Sequence, residues 1–185
     1  PEDELTILTA LRRAVPEFEH LTPAQLCDQL KDMDEKQIIG LVSATKGVLH
    51  ELEFIQLENS DGDTVTASIF ADTNHPDYDV LLFDNKSNEW SEVQLKATDS
   101  NSYVQNWIDT HSSDEIVVTS ELAEKMDLES SGSSNEDLTV RTEEFLDKLQ
   151  EIEDPESLTT WLALLTPLSI CIASWELIKR RREVH

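Results

Sequence analysis

His75-Pro76-Asp77-Tyr78-Asp79-Val80-Leu81-Leu82-Phe83, followed after a polar break by Ser91-Glu92-Val93-Gln94-Leu95-Lys96-Ala97-Thr98, is the part of the chain that decides the fold. Both halves predict strands. Pro76 and Asp77 open the first, which continues through apolar and aromatic residues that suit a sheet. Asp84-Asn85-Lys86-Ser87-Asn88 supplies the polar turn residues of a hairpin loop. The side-chain period of two puts Glu92, Gln94 and Lys96 on one face of the second strand and Val93, Leu95 and Ala97 on the other. In the first strand Asp77 and Asp79 share one face, Val80 and Leu82 the other. A carboxylate strand beside one carrying an acid, an amide and a lysine can hold a metal and water, and the same letters also suit a solvated sheet face.

Upstream, Leu5, Leu8, Leu11 and Val15 predict a short amphipathic helix that Pro16 ends. Thr22-Pro23 reads as a cap with proline at the first helical position, giving a second helix to Lys31. Asp34 caps a longer third helix over 35–59, with Ile38, Leu41, Val42, Leu49, Leu52 and Ile55 as its apolar set. Asn59-Ser60-Asp61-Gly62-Asp63 is a turn; the calcium-loop pattern with its closing glutamate is absent. Thr64 to Ala71 is β-branched and alternating, a strand. Downstream, Asp99 or Ser100 caps a helix over 101–110 whose apolar side is Tyr103, Val104, Trp107 and Ile108. Residues 115–120 form a fourth strand, parallel to the Gln94 strand because a crossover helix precedes it. Ser120 caps a turn of helix to Met126, and Val140 to Ile152 is a charged amphipathic helix with Val140, Phe145, Leu146 and Leu149 as its apolar side.

Asp79, a hairpin and then Gln94-Leu95-Lys96 together resemble the PD-(D/E)XK nuclease-like core, in a variant whose middle acid is glutamine. That family places a further glutamate on the helix before its first strand, and Lys46-Gly47-Val48-Leu49-His50-Glu51 supplies it as Glu51. The longer string, Lys-Gly…Glu, Asn-His-Pro-Asp-Tyr-Asp and Gln-Leu-Lys-Ala-Thr-Asp-Ser, is similar to bacterial domains of this fold joined to membrane-embedding segments. The resemblance covers residues 46–124. It implies an α/β fold: a small mixed sheet of about four strands flanked by helices (a restriction-endonuclease-like core), with N-terminal helices and a C-terminal apolar helix. It also implies that Glu51, Asp79 and the carbonyl of Leu95 bind Mg²⁺, with Glu92 as a lesser helper. The metal would lower the pKa of a bound water, and Lys96 would orient that water or stabilise transition-state charge. Gln94 departs from the usual acid, since an amide oxygen brings no charge, and metal affinity should be weaker. Read without the resemblance, Glu51 is also a charge on a solvated helix face, and Lys96 the partner of a carboxylate on its own sheet face.

With Lys+Arg 14 against Asp+Glu 39, the formal charge is -25. This disfavours nucleic-acid binding, which needs clustered lysine and arginine at the phosphates. It suits a saline habitat, a basic partner, or a surface kept soluble by repulsion. Cys27 and Cys171 lack metal-ligand spacing and read as buried thiols in a reducing compartment. The five histidines form no ligand pair at helical spacing. The chain opens Pro1-Glu2-Asp3-Glu4, which reads as a fragment or processed product without a secretory leader.

Leu158 to Ile178 is a long apolar stretch with the single charge Glu176, flanked by Trp161 and Trp175 and followed by Lys179-Arg180-Arg181-Arg182. Its length and flanks suit a membrane span. Pro167 and several hydroxyl residues suit instead a buried packing helix or one lying on a membrane surface. The organisation expected is an N-terminal helical region (1–45), a nuclease-like core (46–127), a flexible acidic linker (128–138) and C-terminal helices (139–185). Two functions follow. One is a non-catalytic or degenerate domain acting as an acidic protein-interaction module, cytoplasmic or membrane-associated through 158–182. The alternative is a Mg²⁺-dependent nuclease using Glu51, Asp79, Gln94 and Lys96.

Overall fold

Helix starts follow their capping side chains. In the computed structural model, which describes residues 2–70, 77–153 and 172–173, Thr22 Oγ1 accepts the N–H of Gln25 while the Gln25 side chain accepts the N–H of Thr22. Asp34 and Gln37 make the same reciprocal pair, each bond 2.8 Å long. Each box satisfies donors that a helix start leaves unpaired. They open α2 (Pro23–Lys31) and α3 (Glu35–Glu58); α1 (Glu2–Ala14) stops just before Pro16, as a proline requires.

Backbone contacts group the described residues into two units, residues 2–49 with 136–153 and residues 50–70 and 77–135 with 172–173. The first is helical, built from α1, α2, the first part of α3 and α6 (Asn135–Glu151). Its buried side chains include Ile7, Leu11, Leu26, Leu30, Leu138 and Leu146. Polar contacts tie α6 to the N-terminal helices: Arg141 with Asp3, Lys148 with Glu4, and Gln150 Nε2 donating to the Leu30 carbonyl at 2.8 Å. Val140, expected on the apolar side of α6, is exposed.

The second unit is α/β. Its sheet runs, in spatial order, β5 (Glu129–Ser130), β4 (Ile116–Val118), β3 (Glu89–Lys96), β2 (Val80–Asp84), β1 (Val65–Phe70) and β6 (Ile172–Ala173). β1 (Val65–Phe70), β2 (Val80–Asp84) and β3 (Glu89–Lys96) form an antiparallel meander. β4 (Ile116–Val118) then joins β3 in parallel after the crossover helix α4 (Asn101–Ile108). Ser100 caps α4, its side chain accepting the Tyr103 N–H. Val104 of α4 packs with Ile116, Val118, Leu122 and Ala123, the last two from α5 (Ser120–Met126). Thr119, not Ser120, holds the N-cap position of α5; Ser120 Oγ donates to the Ser133 carbonyl instead.

Three further expectations change. β2 begins at Val80, because Asp77 has φ 68, a left-handed backbone that no strand accommodates. The flexible linker expected at 128–138 is ordered: Glu129–Ser130 forms β5 against β4, and Ser131, Ser133 and Asn135 are buried. The Ser131 N–H donates to the Val118 carbonyl at 2.8 Å, so Ser-rich backbone gains a sheet edge to bond with. Tyr103, expected on the buried side of α4, is exposed. Among the described residues no helix is long and apolar enough to cross a membrane. The apolar stretch 158–178 lies outside the described residues apart from Ile172–Ala173, which form β6 beside β1.

Candidate functional site

Asp79 sits one residue before β2, and its N–H donates to the Val93 carbonyl at 3.0 Å, which carries the β2–β3 pairing one step further. Tyr78 holds this corner in place. Its hydroxyl donates to Glu115 Oε2 at 3.1 Å, and its ring lies edge-on to Trp107 and His111. Burial and the neighbouring Glu115, Glu92 and Asp77 carboxylates push the Tyr78 phenol above its ordinary pKa.

The side chain of Asp79 turns to β3. Its Oδ2 accepts the Leu95 N–H at 2.9 Å and the Gln94 side-chain amide. Gln94 is buried, and its Nε2 donates to the Leu95 carbonyl at 3.2 Å as well. Two acceptors at one end of the amide fix its orientation: the opposite rotamer would set Oε1 against a carboxylate and a carbonyl. Gln94 therefore offers Asp79 a donor. Lys96, two residues on and half-buried, has its ammonium 5.5 Å from the centre of the Tyr103 ring, a cation–π contact. Glu51 is half-buried on α3.

The structure thus brings Asp79, Gln94 and Leu95 together, with Lys96 next along the strand. A divalent ion at that point would need oxygen ligands. The donor set fits one poorly: Asp79 Oδ2 and the Leu95 carbonyl both receive the Gln94 amide, and Gln94 would have to turn over and lose both bonds to ligate.

A second feature was not visible in the sequence. An open cleft of about 1140 Å³ lies in the same unit, and it includes none of Glu51, Asp79, Gln94 or Lys96. The β-register puts Leu82, Ser91, Val93 and Val117, which line it, on the face opposite Gln94 and Lys96. Phe54 and Leu57 of α3 line it from the helix side. Carboxylates surround these residues: Glu58, Asp61, Glu92, Glu115, Asp127 and Glu129. One oxygen each from Glu58, Asp61 and Asp63 lies within 4.8 Å of the others. Burial, then the Asp61, Asp63 and Glu129 charges, raise the Glu58 carboxyl above its ordinary 4.5. The lining comes from five separated stretches of chain, so no local pattern signals it. The acid excess of residues 50–135, whose only lysines are Lys86, Lys96 and Lys125 and which hold no arginine, was its one trace in the sequence.

No protein-family model matches the chain, and neither does any curated protein or solved structure.

Proposed function

We propose that the second unit is a non-catalytic, degenerate relative of the PD-(D/E)XK nuclease-like fold that serves as an acidic protein-interaction module. The observation that carries this reading is the Gln94 amide, which gives its N–H groups to Asp79 and to the Leu95 carbonyl. Where the nuclease pattern has two carboxylates to hold Mg²⁺, this chain has an amide–carboxylate clasp that fastens β3 to the start of β2. The element order supports the fold half of the reading: a helix, three antiparallel strands, a crossover helix and a strand parallel to the third. The charge of -25 supports the functional half, since such a surface repels phosphate and attracts a basic protein.

Isothermal titration of the whole chain with Mg²⁺ and Mn²⁺, in wild type and Asp79→Asn, tests it. The reading predicts the same weak, unsaturable heat in both. Saturable binding lost in Asp79→Asn would favour the Mg²⁺-dependent nuclease instead, and DNA and RNA cleavage assays would follow.

A further inference from the structure

Of the groups outside the Asp79 corner, the cleft combines most: volume, an apolar lining and one sign of charge. Its 1140 Å³ exceeds the roughly 300–1,000 Å³ usual for small-molecule sites, so it has room for several residues of a chain. Leu57, Leu82, Val93 and Val117 supply apolar surface. No lysine, arginine or histidine is among the described residues that line it. The charges of Asp61, Asp63 and Glu129 crowd Glu58 beside it. A polyanion would add to that repulsion.

We infer that this cleft is a docking groove for an extended Lys/Arg-rich segment of a partner protein, an inference that rests on the interaction-module reading above and gives the module its binding surface. Lysine and arginine suit both parts of the groove. Their aliphatic stems lie on apolar surface while the charged heads reach acids at the rim. A purely apolar segment would strip water from the rim carboxylates and leave their charge unpaired.

Fluorescence anisotropy of the full chain with a labelled peptide of alternating arginine and alanine tests the groove. A peptide with glutamate in place of arginine serves as control. The expected result is saturable binding of the arginine peptide only, weakened about tenfold by Glu58→Gln with Glu129→Gln. A second pair, Asp61→Asn with Asp127→Asn, should weaken it similarly, which guards against a folding defect in either. The exposed pair Glu143→Gln with Glu144→Gln on α6 should leave it unchanged. Equal weakening by the α6 pair would overturn the groove in favour of diffuse attraction. Binding that emerges only after Lys179, Arg180, Arg181 and Arg182 are changed to Gln would make the chain's own basic run the occupant. A wild-type dimer dissociated by the peptide would make it a second copy. No binding at all would also overturn the groove, and the Mg²⁺ titration at Asp79 would still decide the non-catalytic reading separately.

Discussion

Two groups of acids in one small unit are treated in opposite ways. At the β2–β3 corner a single carboxylate, Asp79, is met by the Leu95 backbone N–H and a buried amide. Beside the cleft, Asp61 and Asp63 each accept a backbone N–H, from Asp63 and Val65, but both crowd Glu58, which is held protonated to higher pH than an isolated glutamate. The difference is one of role. Donors that neutralise a carboxylate spend it on the fold, as Asp79 does in joining two strands. Acids left to repel one another lower stability, and they are useful only where an external cation can relieve them.

The largest effect should come from turning the first group into the second. Gln94→Glu places a buried carboxylate against Asp79 and should cost about 3 kcal/mol at neutral pH, read by urea unfolding. The destabilisation should persist in millimolar Mg²⁺; recovery of wild-type stability there would mean that the corner is built to hold a metal. Removing the acceptor is milder. Asp79→Ala leaves the Leu95 N–H and the Gln94 amide without their shared partner and should cost about 2 kcal/mol. A loss near zero would mean that the clasp does not hold the strands.

The smallest effect has the opposite sign. Because the Glu58 carboxyl is raised above 4.5, the folded chain binds that proton more tightly than the unfolded chain. The stabilisation from protonated Glu58 is full below pH 4.5 and is lost as pH rises through the folded value. Glu58→Gln should therefore melt higher than wild type at neutral pH, and the gap should close as pH falls below 4.5. A variant less stable than wild type at neutral pH would show that the cleft acids are compensated after all.

Much of the fold was legible because it is written locally. Thr22, Asp34 and Ser100 announce helix starts by side chains that bond three residues on, and the alternation through β1 and β3 sets which residues share a face. The parallel placement of β4 followed from the crossover helix before it. β5 was illegible: Glu129 and Ser130 carry no strand pattern, and they are extended because the edge of β4 offers them partners. Asp77 hid the true start of β2, since a left-handed aspartate looks like any other in sequence. Asp79 and Gln94 could be placed as neighbours from the hairpin. The direction of the bond between them could not, because it depends on the second acceptor, the Leu95 carbonyl, which fixes the amide.

The most direct measurement is the NMR spectrum of the Gln94 side-chain amide and the Leu95 backbone N–H during a Mg²⁺ titration. If the clasp is what Asp79 is for, both signals stay in place through millimolar Mg²⁺, and both move in Asp79→Asn. A saturable Mg²⁺-dependent shift confined to Gln94 and Leu95 would show a metal displacing the amide, and the non-catalytic reading would fall.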